Sequence, residues 1–205
     1  MPLIRTTSSK PTEPPAPSRA GLTSGSSEER WTAARAAGGS AQNVAALGVA
    51  LTQEQDPRVR EAIFTSLALI NTDESVEAVL PHLRSDDAQV RAAALDALRA
   101  MPERTAGHLP ALFADADGDV RLLACELCRT LPLAEMHAML GVLLANEHEA
   151  NVCAAAVDVL ADCGGEEILP ALAQCARRFI SDPFLTFSIK IASQRIASQR
   201  PDRGE

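Results

Sequence analysis

Aromatic residues are scarce in this sequence: tyrosine is absent, tryptophan occurs once, and aromatics make up 3% of the 205 residues. Strands are enriched in aromatic and β-branched residues, so this composition argues against a β-sheet core. Apolar residues nevertheless make up 46% of the chain, which is ample for a core. We therefore expect a core of Ala, Leu and Val between closely packed helices.

Several signals of location and chemistry are also missing. No segment resembles a secretory signal, and no apolar run is long enough to span a membrane. The five cysteines are an odd number without the spacing of a disulfide framework, which favours a reduced, cytoplasmic compartment. The four histidines are not paired on one helix, and no Ser/His/Asp set, glycine-rich phosphate loop or pair of catalytic carboxylates can be recognised. We therefore predict a non-catalytic protein without a metal site or cofactor.

The charge is unevenly distributed along the chain. The net charge is -8, but residues 1–25 and residues 190–205 each carry +2, which leaves -12 for the residues between them. A body this acidic repels phosphate backbones, so the sequence argues against nucleic acid as a ligand. It favours a partner protein with a basic or mixed surface.

A short phrase, Asp-x-x-Val-Arg, recurs along the chain at a regular interval. It stands complete at Asp56–Arg60, Asp87–Arg91 and Asp117–Arg121, and in altered form from Glu149 and from Asp182. The valine column falls at positions 59, 90, 120 and 152, so the period is 30 to 32 residues. A period in this range predicts a solenoid of stacked repeats.

Each repeat contains the pattern of two helices. After the phrase, apolar and small residues recur at spacings of three and four, which places one apolar stripe on a first helix. The aspartates of the phrase, Asp56, Asp87 and Asp117, are predicted to be N-caps, and its arginines are predicted to join neighbouring units through ion pairs. The second helix carries Leu-Pro-x-Leu in three units, and in the fourth unit Gly141 replaces the proline.

Paired helices with Asp-x-x-Val-Arg in the first and Leu-Pro-x-Leu in the second resemble HEAT repeats, and the short period resembles the phycobilin-lyase-type variety. The resemblance covers about residues 27–198 and implies an all-α fold, an α-solenoid of about five to six two-helix HEAT-like repeats. Residues 1–26 are rich in Pro, Ser and Thr, and we expect them to form a disordered tail, with a transit peptide as the alternative. Residues 199–205 are expected to form a flexible C-terminal tail.

The second helices of an α-solenoid usually line its concave face, where partners bind. The charged residues predicted on this face include more acids than bases, so we expect it to bind a partner protein. The alternative is a solvated face without a ligand. We expect the histidines to be solvated rim residues rather than metal ligands. The candidate binding residues are Glu74, Glu77, His82, Arg104, His108, Glu135, His137, Glu166, Glu167 and Gln174.

The last predicted helix has an unusually wide apolar surface. Phe184, Phe187 and Ile191 form one stripe, and Leu185 and Ile189 belong to a second stripe beside it. A helix that is apolar over so wide an arc should be covered by other groups. We expect it either to pack on the preceding repeat as a terminal unit, or to present Phe184, Phe187 and Ile191 as a docking or dimer face.

Residue types that often carry chemistry are interpreted as structural in this chain. Cys125 and Cys128 form a Cys-x-x-Cys pair in the middle of a helix, and Cys163 also falls in an apolar column, so all three are expected to be buried. Cys153 stands where other units have an arginine, and we expect it to be partly exposed. Trp31 is expected to cover the open end of the core.

The sequence leads to two functional hypotheses. The first is a non-catalytic adaptor, scaffold or assembly factor that binds a partner protein on the concave acidic face. The second comes from the resemblance alone: a bilin-lyase-like subunit or chaperone that holds an open-chain tetrapyrrole for attachment to a cysteine. The scarcity of aromatic rings that could stack on the pigment counts against the second hypothesis. Nucleic-acid binding, known from glycosylases of related fold, conflicts with the acidic body.

Overall fold

The computed structural model describes residues 19–198, and every regular element in this range is helical. The prediction of an all-α solenoid is confirmed. In chain order the α-helices are α1 (Arg19–Thr23), α2 (Ser27–Ala37), α3 (Val44–Gln53), α4 (Pro57–Ile70), α5 (Asp73–Val79), α6 (Ala88–Arg99), α7 (Pro102–Thr105), α8 (Leu109–Phe113), α9 (Gly118–Leu127), α10 (Leu133–Asn146), α11 (Ala150–Cys163), α12 (Leu169–Arg178) and α13 (Pro183–Ser198). Short 3-10 segments lie at Ala41–Asn43, Leu80–Arg84, Ala106–His108, Cys128–Thr130 and Glu166–Ile168.

The helices form successive units, in which a first helix is followed by a second helix. The first helices α2, α4, α6, α9, α11 and α13 contact one another in sequence. Units 1 to 5 are completed by second helices: α3, then α5 with the 3-10 segment Leu80–Arg84, then α7 with α8, then α10, then α12. The last element, α13, is a sixth first helix that packs on α11.

The predicted N-caps open three of the first helices. Asp56 accepts hydrogen bonds from the N–H groups of Arg58 and Val59, and Asp87 and Asp117 each accept one from the residue two positions further on. These carboxylates satisfy N–H groups that have no partner within the helix, and they interact favourably with the helix dipole. All three predicted caps are confirmed.

One core cluster extends through the described chain. It consists largely of Leu, Ala and Val, as the composition predicts. Small residues such as Ala94 and Ala124 are completely buried on the first helices, which allows neighbouring helices to approach closely. Trp31 is partly buried against this core, and the guanidinium groups of Arg35 and Arg58 lie 4.9 and 4.5 Å from its ring centre.

The predicted N-terminal tail differs from the structure near its end. Residues 1–18 and 199–205 lie outside the described residues, so the tails predicted there stay predictions. Residues 19–26, however, include α1, which contacts α2 and α3. Leu22 of this helix is buried in the core. The tail therefore does not reach residue 26, because burial of this leucine stabilises the segment despite its polar composition.

The arginines that close the repeated phrase were predicted to join neighbouring units. Arg60 of unit 2 pairs with Asp87, the cap of unit 3, at 3.3 Å. The third unit departs from this arrangement, because Arg91 donates a hydrogen bond of 2.6 Å to the carbonyl of Ser85 in the turn that opens its own unit. The prediction is therefore confirmed for Arg60 and wrong for Arg91.

One arginine outside the repeated phrase also joins two neighbouring units, and it was not predicted from the sequence. Arg30 occupies the equivalent position of unit 1 and donates hydrogen bonds of 2.6 and 2.9 Å to the carboxylate of Glu54. Glu54 also accepts from the N–H groups of Gln55 and Asp56, in the turn that opens unit 2. The hydrogen bond from Arg30 is the main reason that the pKa of Glu54 is lowered, against the opposing effect of burial.

Arg121 makes an extensive connection between units 4 and 5, as predicted. It donates to both carboxylate oxygens of Glu147, at 2.7 and 3.2 Å, and to Glu149 at 2.8 Å. The side chain of Glu147 is only 7% exposed, and it also accepts from the N–H groups of His148 and Glu149. Burial alone would raise the pKa of Glu147, but the hydrogen bonds from Arg121 and the backbone outweigh burial and lower this pKa. The pair is therefore ionised at neutral pH.

Replacing Arg121 by methionine should destabilise the protein strongly. The Arg121→Met variant leaves the buried Glu147 without its partner, and removing one member of a buried ion pair typically lowers the free energy of unfolding by about 3–5 kcal/mol. Arg104→Met is a matched control, because Arg104 pairs with Asp73 at 3.5 Å where both side chains are largely exposed. Exposed pairs contribute about 1 kcal/mol or less. Urea unfolding measures both variants, and equal losses would contradict the role assigned to Arg121.

The same carboxylates predict how stability depends on pH. In the folded protein the pKa values of Glu54 and Glu147 lie below the ordinary value of 4.5, so their contribution is present above pH 4.5 and is lost as the pH falls through the lowered values. At pH 7 we expect the wild type to exceed Glu147→Gln in free energy of unfolding. The two proteins should converge as the pH falls through the lowered pKa of Glu147. Urea unfolding at several pH values measures this difference, and a gap that widens in acid would show that the sign is wrong.

Candidate functional site

The predicted binding residues lie along the second helices and in the turns that precede them. Most are exposed, as a binding surface requires, whereas the histidines are not. Their role in binding stays a prediction. Exposed are Glu74, Glu77, Arg104, Glu135, Glu166, Glu167 and Gln174; half-buried are His82 and His108; buried is His137.

His137 was predicted to be a solvated residue, and the structure shows that this is wrong. Its ring nitrogens lie 2.5 Å from a carboxylate oxygen of Glu167 and 2.8 Å from the carbonyl oxygen of Cys163. His137 belongs to α10 of unit 4, and both partners belong to unit 5, so this histidine joins two units from within. A backbone hydrogen bond and the contact with His137 together lower the pKa of Glu167.

Two other predicted residues also make contacts within the solenoid. Arg104 of unit 3 pairs with Asp73 of unit 2. The ring of His82 packs edge-on against Phe64, with 5.6 Å between the ring centres. Burial, with a smaller effect from the nearby Arg60, lowers the pKa of His82, so the ring is neutral at pH 7. These side chains therefore contribute to packing and to contacts between units.

An apolar groove opens between α8 and α10, on the face formed by the second helices. Its volume is about 630 Å³, and its walls are formed by Pro110 and Phe113 of α8 and by Met139, Val142 and Leu143 of α10. Val142 is 66% exposed in this groove. We call this feature the α8–α10 groove. The candidate binding residues predicted from the sequence are all charged or polar, so they do not include this apolar feature.

The groove results from a difference between neighbouring second helices. Proline occupies the second position of Leu-Pro-x-Leu in three units, and each of those second helices includes a 3-10 segment near the proline. Proline lacks an N–H group and interrupts regular helical hydrogen bonding. Gly141 replaces it in α10, which runs without a break from Leu133 to Asn146. The groove lies where the broken α7–α8 segment meets the continuous α10, and the replacement of proline by Gly141 is the sequence signal of this difference.

The polar end of the groove is satisfied by contacts within the protein. Asp115, Arg121 and Glu147 lie at this end. The guanidinium of Arg121 donates to Glu147 and, at 2.8 Å, to the carbonyl of Asp115. An anionic ligand would have to displace these hydrogen bonds. The groove is therefore suited to apolar side chains rather than to an anion.

Cys125, Cys128 and Cys153 are protected from reaction. Cys125 and Cys128 are completely buried, as predicted, and burial raises the pKa of both thiols, to about 12 for Cys128. Cys153 was predicted to be partly exposed, which is wrong, because its short side chain is buried beside Cys175. The hydrogen bond between these two thiols and burial raise the pKa of Cys153. A buried, protonated thiol is a poor nucleophile.

The stripe formed by Phe184, Phe187 and Ile191 remains uncovered. α13 packs on α11, and the side chains of Leu185 and Ile189 on its other side are buried. Phe184 is 74% exposed and Phe187 is 61% exposed. Packing of α13 as a terminal unit therefore accounts for the stripe that contains Leu185 and Ile189. The stripe of Phe184, Phe187 and Ile191 stays a predicted docking face.

Within residues 19–198, no three side chains from His, Cys, Asp and Glu stand close enough to hold a metal ion together. None of the helices in that range combines the length and the hydropathy needed to cross a bilayer. For the whole chain, the lack of a metal site and of a membrane segment remains an expectation.

Known proteins resemble this chain mainly in its repeats. Residues 16–99 match the family model described as HEAT repeats, and none of the curated proteins matches the chain. Among solved structures, an engineered protein is 19% identical and covers 88% of this chain and 95% of its own, with a TM-score of 0.41. The complex of CpcE and CpcF of phycocyanin lyase from Nostoc sp. is 16% identical, with coverage of 95% and 100% and a TM-score of 0.40. A designed armadillo repeat protein is 17% identical, with coverage of 87% and 98% and a TM-score of 0.38.

The family match coincides with features described above. The matched residues include the caps Asp56 and Asp87, which open two complete copies of the repeated phrase. They also include the Leu-Pro-x-Leu segment of unit 2. The HEAT repeats predicted from the sequence are confirmed, since residues 16–99 match the model of this family.

Proposed function

We propose that this protein is a non-catalytic adaptor that binds a segment of another protein in the α8–α10 groove. The observation that carries this proposal is an open apolar groove of about 630 Å³ whose walls include Phe113, Met139 and Val142. Grooves between helices commonly receive the apolar side chains of an amphipathic helix. Stacked repeats also supply the rigid frame that such binding requires.

The exposed acidic residues of the second helices indicate the chemistry of the partner. Glu135 lies three and four residues before Ala138 and Met139 on α10, so it shares a side of the helix with the groove wall. Glu103 and Glu77 are exposed on the preceding second helices. A segment with apolar anchors flanked by Lys or Arg therefore complements this surface.

A tetrapyrrole-binding role, implied by the resemblance to phycobilin-lyase-type repeats, is the second candidate. The groove volume falls within the roughly 300–1,000 Å³ that is typical of small-molecule sites. Among the residues that line the groove, however, Phe113 is the only aromatic one, and Arg121 already binds Glu147. The groove therefore offers little to stack on a pigment or to bind its carboxylates, and we favour a protein segment.

Replacing Val142 by aspartate should abolish partner binding without unfolding the protein. A charge in the groove wall must be desolvated when an apolar anchor enters, so we expect the affinity to fall at least about tenfold, which corresponds to about 1.4 kcal/mol. Affinity capture from native lysate with wild-type and Val142→Asp baits identifies proteins lost from the variant. Titration of one purified partner then measures the change in affinity.

Leu133→Asp is the matched control for this variant. Leu133 belongs to the same helix and is 58% exposed, but it does not line the groove. The Leu133→Asp bait should retain the partners that Val142→Asp loses. Recovery of the same proteins by all three baits would rule out the groove as the binding site. If biliverdin, used as the probe pigment, changes its visible absorbance with wild type and not with Val142→Asp, the tetrapyrrole candidate replaces the adaptor.

Reversing two exposed charges should test the predicted acidic surface. Glu77→Lys combined with Glu135→Lys should weaken binding of a groove partner, and the difference from wild type should shrink as salt is added, because exposed charges are screened. Glu167 is left unchanged, since its replacement would break the contact with His137. Titrations at about 50 and 500 mM salt measure the effect. An unchanged affinity at low salt would show that the partner is not recognised by charge.

A further inference from the structure

The exposed stripe of the last helix is longer than the three residues predicted from the sequence. Within α13, the intervals of three and four place Phe184, Phe187 and Ile191 on one side of the helix, as in the seam of two helices packed side by side. Ile180, in the turn before α13, adds a further apolar side chain that is 81% exposed. We call Ile180, Phe184, Phe187 and Ile191 the end stripe.

The fold itself does not require the end stripe. Asp182 caps α13, since it accepts a hydrogen bond of 2.9 Å from the N–H group of Leu185, and so it aligns α13 with the other first helices. In those helices the positions equivalent to Phe184, Phe187 and Ile191 are mostly polar or small. They are Arg58, Glu61 and Thr65 in α4, Gln89, Ala92 and Asp96 in α6, Asp119, Leu122 and Glu126 in α9, and Asn151, Ala154 and Asp158 in α11.

The end stripe is also distinct from the position that the following unit buries. Phe64 of α4 is buried in a cavity shared with α6, which the exposed Glu61 and Thr65 also line. The thiol of the buried Cys125 in α9 lies 3.9 Å from the carbonyl of Val152 in α11. Phe64 and Cys125 each stand eight residues after the cap of their helix, so this position faces the next unit. In α13 the same position holds Lys190, which is exposed. The stacking side of α13 is thus charged, whereas its outer side is apolar.

The exposed charges in the segment 177–198 are basic. Arg177 and Lys190 are exposed there, Arg195 pairs with Asp162 of α11 at 3.4 Å, and the single acid of the segment, Asp182, is engaged as the cap of α13. The surroundings of the α8–α10 groove are acidic by comparison. The two surfaces therefore select partners of opposite charge.

We propose that the end stripe docks an amphipathic helix of another protein, whose apolar seam is flanked by Glu or Asp side chains. A second copy of this chain fits poorly, because pairing two stripes brings like charges such as Lys190 together. The area is also small: at about 150–250 Å² per phenylalanine ring, Phe184 and Phe187 expose roughly 200–340 Å². A stable dimer needs about 800 Å² from each partner, whereas transient docking of a helix needs less.

Two designed peptides test this proposal. Both are helical 21-residue peptides with the same leucine seam, and the flanking positions carry Glu in one and Lys in the other. Fluorescence polarisation with the full chain should show that the Glu peptide binds at least about tenfold more tightly than the Lys peptide. Lys190→Glu should reduce or reverse this preference, because it changes the sign of a charge beside the seam.

Variants locate the binding surface. Phe184→Ser combined with Phe187→Ser should weaken binding of the Glu peptide at least about tenfold. Leu133→Ser and Val142→Asp, which alter exposed apolar residues elsewhere, should bind it as the wild type does. Because all these side chains are exposed, urea unfolding should give similar midpoints for the variants. The Val142→Asp result also separates this proposal from that for the α8–α10 groove, since each surface has its own variant.

Four results would overturn the proposal. Equal affinity for the two peptides, or binding that the double serine variant does not change, would show that the end stripe does not select an acidic helix. A wild-type dimer in sedimentation velocity that the double serine variant dissociates would assign the stripe to a second copy. A tenfold gain in affinity after removal of residues 1–18 would assign it to the N-terminal segment of the chain itself.

Discussion

The solenoid depends on guanidinium groups that bind a carboxylate in the following unit. Glu54 and Glu147 each accept hydrogen bonds from an arginine of the unit before and from N–H groups of their own turn. One carboxylate therefore fixes the geometry of the turn and its position relative to the preceding unit. Since each unit of a solenoid contacts only its neighbours, these connections determine where the next first helix begins.

The frame of the fold could be predicted because it repeats. A cap such as Asp56 and the apolar columns depend on spacing within one helix, and the period presents the same spacing several times. Glu54 and Glu147 were missed because their column, two residues before the cap, contains Glu, Ser, Asp and Glu. All four side chains have an oxygen that can accept a hydrogen bond, and this shared property could have predicted that the position binds a donor. The boundary of the N-terminal tail was wrong because average composition does not reveal the anchoring effect of Leu22.

The candidate site could be predicted only in its location on the second helices. His137 contacts a carboxylate 30 residues away, and this contact depends on how two units stack, which no pattern within one helix reveals. The prediction that Cys153 is partly exposed was wrong for a related reason. Cys153 occupies the position that arginine holds in other units, but its side chain is too short to extend to the surface as an arginine does. The groove lies between two second helices that differ, since α10 has Gly141 where α8 has Pro110. A repeat is recognised from the residues that its units have in common, so it does not reveal such a difference.

The α8–α10 groove lies at the joint between units 3 and 4, and this is the joint that Arg91 does not bridge. Asp115 holds the position of Glu54 and Glu147 there, but it pairs with the exposed Arg84 rather than with Arg91. The joint is bridged instead between its first helices, where Arg99 of unit 3 donates to Glu126 of unit 4 at 2.8 Å. A segment that binds in the α8–α10 groove contacts the second helices of both units. Its binding therefore adds a connection on the second-helix side of the joint, where the turn lacks the Arg–Glu pair.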